Sequence, residues 1–157
     1  EGYREIIYSG KKRSSLLEYE DGAEHVIVTD SISKRFSSCG ARVGALISPN
    51  KHFMELAMKI CQGRLCAATL DQIGAAALYR TMTPDYLASV RDEYGRRKDA
   101  LVSALSKLPG VTHSSPEGAF YVMATLPVDD AEKLQYFLLQ EFEDHGETVM
   151  YAPGEGF

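Results

Sequence analysis

Between two short apolar runs lies a polar loop punctuated by glycine, Ser31-Ile32-Ser33-Lys34-Arg35-Phe36-Ser37-Ser38-Cys39-Gly40-Ala41-Arg42-Val43-Gly44. On its N-terminal side Val26-Ile27-Val28-Thr29 is β-branched and almost wholly apolar, which suits a buried strand better than a helix. On its C-terminal side residues 43–48 read as a second buried strand, in which Gly44 admits the close approach of another backbone or of a ligand. Lys34 then falls at a strand end, where side chains project into the crevice beyond the sheet edge and α/β proteins bind ligands.

A single loop lysine is ordinarily a solvated surface charge. Here it shares its loop with the hydroxyls of Ser31 and Ser33 and the guanidinium of Arg42. Hydroxyl donors and a bidentate arginine converging on one point are what an anionic head such as a phosphate requires. A lysine with an ordinary pKa near 10.4 is free amine to only roughly four parts in ten thousand at pH 7, so a nucleophilic lysine needs positive charge or desolvation nearby. Arg42 and a crevice supply both.

The order Ser-x-Ser-Lys followed by Gly-x-Arg-x-Gly resembles the pyridoxal-phosphate attachment motif of the fold-type I aminotransferases, the aspartate aminotransferase family. The likeness continues through Glu1-Gly2-Tyr3-Arg4 and Pro116-Glu117-Gly118-Ala119-Phe120-Tyr121 to Val149-Met150-Tyr151-Ala152-Pro153-Gly154, so it covers essentially the whole chain. It implies an α/β chain carrying part of the fold-type I transferase architecture. Residues 1–83 would be the C-terminal part of a large, mainly parallel cofactor-binding domain, 84–108 a connecting helix, and 109–157 the first part of a small α+β domain.

The resemblance also implies roles. Lys34 forms the internal Schiff base with the cofactor aldehyde and, once substrate displaces it, acts as the general base at the substrate Cα. Ser31, Ser33 or both, together with Arg42, hold the cofactor phosphate, whereas Arg35 falls outside the phosphate-contacting position. Tyr3 hydrogen-bonds the cofactor's phenolic oxygen, and Phe120 is a candidate wall of the substrate pocket. The family's aspartate that pairs with the pyridine nitrogen would fall just before Glu1, and its carboxylate-gripping arginine after Phe157. The chain thus reads as an internal segment, expected to be incompetent as a catalyst by itself. The full-length protein is expected to be a homodimeric aminotransferase acting on an amino acid, aspartate-like or otherwise, and a 2-oxo acid. The same loop would serve a β-lyase, a cyclopropane-forming synthase, or a cofactor-binding but non-catalytic domain of a transcription regulator.

Composition narrows the setting. With 45% hydrophobic and 25% charged residues the chain has the make-up of a soluble globular protein. Its apolar runs are short and interrupted by charge, too short for a membrane span or a secretory signal, so the cytoplasm is the default compartment. Cys39, Cys61 and Cys66 are odd in number and lack zinc-ligand spacing, which points to reduced thiols and to no metal site. A net charge of −5 argues against nucleic-acid binding, which needs a basic face. His25, His52, His113 and His145 are scattered and receive no role.

In chain order, residues 3–8 read as a strand and 9–22 as a surface excursion in which Lys11, Lys12 and Arg13 are solvated. Asn50 caps a helix carrying Phe53, Leu56, Ala57 and Ile60, interrupted at Gly63. The alanine-rich stretch 67–78 favours a second helix. Thr83-Pro84-Asp85 starts a third, with Leu87, Val90, Tyr94, Leu101, Leu105 and Leu108 along it and Pro109-Gly110 as its stop. At 1.5 Å per residue it would be roughly 37 Å long. Residues 111–114, 119–126 and 148–151 read as strands, and 129–145 as a capped helix.

Overall fold

The structure is a computed structural model describing residues 2–11, 14–19 and 21–154. Lys12 and Arg13 of the basic cluster, and Glu1 of the N-terminal motif, lie outside the described residues. By its contacts the chain divides into two units, Glu1–Arg96 with Glu117–Phe120, and Arg97–Pro116 with Tyr121–Phe157.

In the first unit β1 (Val28–Ser31) pairs with β2 (Gly44–Ile47) in antiparallel register, Val28 opposite Ile47 and Ser31 opposite Gly44. Both strands lie inside or close to the expected positions, β1 starting two residues late. The pair is antiparallel, because only α1 (Ile32–Arg35) and a 3-10 turn at Cys39–Ala41 separate the strands, and a parallel return needs a full crossover. One expectation fails: the strands are not both buried. Val28 is, but β2 is exposed throughout, since a two-stranded ribbon carries no neighbouring layer on its open face. Gly44 behaves as its position suggests, for a Cβ there would sit 2.9 Å from the Asp30 carbonyl oxygen.

The core of this unit is small. Ile32, Phe36 and Ala75 are buried together, with Ala41, Val43 and Met82 packed around them. Phe36 meets Tyr79 edge-on at 5.2 Å and stacks near Tyr86 at 6.3 Å, so α1 is held against α3 (Thr69–Thr81) and the start of α4 (Pro84–Leu105). Aromatic pairs in these geometries add about 0.5–1.5 kcal/mol each beyond the area they bury.

The helices follow their capping residues. Asn50 Oδ1 accepts the Phe53 N–H at 2.9 Å and opens α2 (Lys51–Arg64). Gly63 does not interrupt it: an interior glycine costs about 1 kcal/mol relative to alanine, too little to break a capped helix, and the chain leaves only at Leu65, whose φ is +72°. Thr83 Oγ1 accepts the Tyr86 N–H at 3.3 Å at the head of α4. That helix stops at Leu105 rather than Leu108, because Lys107 and Leu108 donate to the carbonyls three residues back and tighten the final turn. Its 22 residues span about 33 Å.

Residues 3–8 are not a strand. Ile6 N–H donates to the Tyr3 carbonyl at 2.9 Å, closing a tight turn, and only Ile7 forms a bridge, with Gly118.

In the second unit β3 (Thr112–His113) pairs antiparallel with β4 (Ala124–Thr125), much shorter than expected because residues 117–120 pair with the N-terminal segment instead. Asp130 Oδ1 accepts the Lys133 N–H at 2.9 Å and caps α5 (Ala131–Gln140), which is shorter at both ends than the predicted 129–145. The Glu141 and Phe142 amides both turn back to the Phe137 carbonyl, and a bridge between Asp144 and Glu147 then closes a turn through His145 and Gly146, both at positive φ. Residues 148–151 form no strand, since the polar groups of Tyr151 are taken by α5: its N–H donates to Gln135 Oε1 at 2.9 Å and its hydroxyl to the Ala131 carbonyl at 2.6 Å.

Candidate active site

Ser31 ends β1 in an extended conformation and caps α1, accepting the Ser33 N–H on its Oγ at 3.0 Å and donating to Ser33 Oγ at 2.7 Å. The four residues of α1 divide by face. Ile32 and Arg35, three apart, are both buried, while Ser33 and Lys34 between them are half-buried. The polar loop expected around Lys34 is therefore a single helical turn, and burial of its Ile32 face is what turns Ser33 and Lys34 the other way.

Lys34 Nζ lies over the ring of Phe120, 5.5 Å from its centroid. Tyr94 stacks on that ring at 5.1 Å, and Tyr3 meets it edge-on at 5.2 Å. Such a cation over an aromatic face gains about 0.5–1 kcal/mol where exposed. Phe120 reaches this place through a short backbone pairing: Tyr8 N–H donates to the Glu117 carbonyl at 2.8 Å and Ala119 N–H to the Ile6 carbonyl at 2.9 Å. Gly118 is required between them, because a Cβ there would stand 2.9 Å from the Ile6 carbonyl oxygen. Ala119 takes a left-handed φ of +58°, and the Tyr8 hydroxyl donates to its carbonyl. Burial, with the neighbouring Tyr94 adding to it, pushes the Tyr8 hydroxyl pKa up, so Tyr8 stays a donor.

Three of the predicted site residues, Lys34, Tyr3 and Phe120, are thus gathered around one ring, and two more, Ser31 and Ser33, bond to each other on the same turn as Lys34. Arg42 is placed differently. It is exposed and left-handed at φ +54°, and its Nη1 donates to the Cys39 carbonyl at 3.0 Å. Among the described residues no hydrogen bond joins it to Ser31 or Ser33, although Ser31 Oγ does reach the Val43 carbonyl at 3.3 Å.

Sequence reasoning missed Arg35 as a structural residue. Its side chain is 3% exposed; Nη2 bonds Asp30 Oδ2 at 2.9 Å, Nη1 donates to the Tyr79 hydroxyl at 2.9 Å, and Nε lies 3.8 Å from Glu5 Oε1. The signal was its spacing of three from Ile32, visible only once 32–35 is read as helix. Elsewhere, Cys39, Cys61 and Cys66 are free and exposed. Among the described residues no cluster of three His, Cys, Asp or Glu side chains could hold a metal ion, and no helix is long and apolar enough to cross a membrane.

The family described as aminotransferase class I and II matches residues 1–145. The chain belongs to that family. Among curated class I and II aminotransferases it is 31% identical, over its whole length, to the probable aspartate/prephenate aminotransferase of Aquifex aeolicus, of which it covers 40%. It is 30% identical over 99% of its length to the aspartate aminotransferase of Sulfurisphaera tokodaii, of which it covers 38%. The chain therefore spans about two fifths of the length of these relatives. The α-aminoadipate aminotransferase of Thermus thermophilus, solved in complex with N-(5'-phosphopyridoxyl)-L-leucine, superimposes with a TM-score of 0.78 at 27% identity, over 90% of this chain and 37% of that one. The fold is accordingly part of the fold-type I transferase fold of the pyridoxal-phosphate aminotransferases.

Proposed function

We propose that the complete protein is a pyridoxal-phosphate-dependent aminotransferase moving an amino group between an amino acid and a 2-oxo acid, with Lys34 as its catalytic residue. The observation that carries this is Lys34 Nζ set over Phe120 beside Tyr3, in a chain of the class I and II aminotransferase family. The donor set suits the cofactor. An amine can meet its aldehyde and a phenol its phenolic oxygen, and two hydroxyls on one turn, 2.7 Å apart with Ser31 donating to Ser33, can turn to its phosphate. Arg42 would complete the phosphate grip by giving up its bond to Cys39.

When bound, pyridoxal phosphate supplies the electron sink for the charge left as the substrate Cα proton departs. The rest falls to this chain. Ser31, Ser33 and Arg42 bind and orient through the phosphate, and the Tyr3 hydroxyl donates a hydrogen bond that favours the ionised phenolic oxygen. Phe120, backed by Tyr94, walls the space beside Lys34 and excludes water from it. Lys34 Nζ, as free amine, takes the proton from the substrate Cα. In this reading residues 1–83 end the large cofactor-binding domain, 84–108 connect, and 109–157 begin the small domain, in a cytoplasmic homodimer serving amino-acid biosynthesis. The large apolar side chains that α2, α3 and the residues between them leave exposed, Ile60, Leu65 and Leu70, support a surface that further protein covers. No particular amino acid is selected, for the relatives are named for aspartate, prephenate and α-aminoadipate.

The deciding experiment uses the complete protein. Borohydride reduction in the presence of pyridoxal phosphate, followed by peptide mass analysis, is expected to place the cofactor on Lys34. A label on a different lysine, or none, overturns the assignment. Arg42→Ala is expected to weaken cofactor binding roughly ten- to a hundredfold, the value of one charge-assisted hydrogen bond of about 1.5–3 kcal/mol. A dissociation constant within twofold of the parent, measured by absorbance titration, removes Arg42 from the phosphate site.

A further inference from the structure

Arg35 and Glu5 are joined by an ion pair of 3.8 Å, side chains 3% and 13% exposed, and each sits on a hydrogen-bonded turn beside a residue of the proposed site. Arg35 follows Lys34 on α1, a turn closed by the Phe36 amide on the Ile32 carbonyl at 3.1 Å. Glu5 lies inside the turn that the Ile6 amide closes on the Tyr3 carbonyl at 2.9 Å. From these contacts we infer that the Arg35–Glu5 pair is a positioning device: it fixes the turn bearing Tyr3 against the turn bearing Lys34, and so sets where the Tyr3 hydroxyl stands relative to the lysine. The inference rests on the cofactor reading above.

The division of labour among the contacts of Arg35 supports it. Asp30 and Tyr79 hold the guanidinium at 2.9 Å each, so its place on the core does not depend on Glu5. Its Nε has no hydrogen-bond partner and faces only the longer contact to Glu5. That contact adds little strength to the anchor but links two segments of the chain. Arg4 also reaches from the same turn, to Glu5 at 3.5 Å and Asp30 at 3.8 Å, but its side chain is 39% exposed and its attraction is screened by solvent. A misplacement of about 1 Å at a reacting group can cost a hundredfold in rate, so a weak link of this kind can matter more to chemistry than to stability.

The test uses the complete protein carrying Glu5→Gln, which keeps the shape and removes the charge, with the pH titration of bound-cofactor absorbance as readout. If the Tyr3 hydroxyl drifts from the phenolic oxygen, the form with that oxygen ionised and the lysine-linked nitrogen deprotonated loses its donor, and the midpoint rises, by about one unit. Loss of a nearby negative charge acting through space alone would lower the midpoint instead, so the sign separates positioning from simple electrostatics. In step with the rise, kcat should fall roughly tenfold while KM stays within about twofold, the pattern of an interaction lost at the reacting centre. Arg35→Lys, which keeps the cation but loses the fork, should shift the midpoint in the same direction and serves if Glu5→Gln fails to fold. Arg4→Gln should leave it in place. A lowered or unchanged midpoint in both Glu5→Gln and Arg35→Lys, with cofactor still trapped on Lys34, overturns the positioning role alone. A parent protein that attaches no cofactor to Lys34 overturns both readings.

Discussion

Replacing Lys34 by alanine in the complete protein is expected to lower kcat for transamination by at least roughly 10⁴-fold, because in the role proposed for it the substitution would remove the covalent hold on the cofactor and the proton acceptor at the substrate Cα together. General-base assistance alone is worth about 10²–10⁴ in rate. Lys34→Arg separates the two properties of the side chain. A guanidinium keeps the positive charge over Phe120 but neither gives up its proton near neutral pH nor condenses with an aldehyde, so it should be as inactive as alanine. Both variants should remain folded, since Lys34, like Ser33, is a half-buried, outward member of α1 and the buried face belongs to Ile32 and Arg35. Steady-state production of the 2-oxo acid, with folding checked by far-ultraviolet circular dichroism, decides it. Retention of a tenth or more of the parent kcat in either variant counts against Lys34 as the base.

Arg35→Ala should be the most destabilising single change in the first unit. It leaves the carboxylates of Asp30 and Glu5, 9% and 13% exposed, without the cation that lies between them, and Asp30 Oδ1 already lacks a hydrogen-bond partner. Breaking one side of a buried ion pair costs about 3–5 kcal/mol, much more than the pair contributes over an apolar replacement of the same volume. The Tyr79 hydroxyl loses its donor in the same step, and its ring loses the guanidinium 5.4 Å away. Urea unfolding of the complete protein should show a lowered midpoint at unchanged slope. A loss below about 1 kcal/mol would mean that water or Arg4 takes over the charge. What the neighbours of Arg35 reveal is a load on the fold.

What could be read from the residues alone divides along a physical line. Helix starts were legible where a side chain caps the backbone locally, at Asn50, Thr83 and the acidic residues before α5, because cap and capped amide lie within three residues of each other. Helix ends were less so, since Leu65 and the tightened turn after Leu105 depend on backbone geometry that no residue type announces. The strands at 3–8 and 148–151 failed for a different reason. A stretch of alternating or apolar residues says that a segment can be extended, and only its partners decide whether a ladder forms. Here those partners are a single bridge to Gly118 in one case and the flank of α5 in the other. The hydroxyls and the amine of the candidate site were visible in the motif. The cluster of Glu5, Asp30, Arg35 and Tyr79 was not, because its members come from four elements and each looks like an ordinary surface residue by itself.

The bond between the Tyr8 hydroxyl and the Ala119 carbonyl spans 111 residues of sequence. Closing a loop of that length costs about 4 kcal/mol in chain entropy beyond a constant, whereas the Ser31–Ser33 turn beside Lys34 closes within two residues and costs almost none of it. During synthesis the amine-bearing turn can therefore form long before its aromatic wall, which must wait for residues 117–120 to leave the ribosome. For that interval a growing chain presents Lys34 without Phe120 over it. The order in which the gene spells these two segments sets how long that interval lasts.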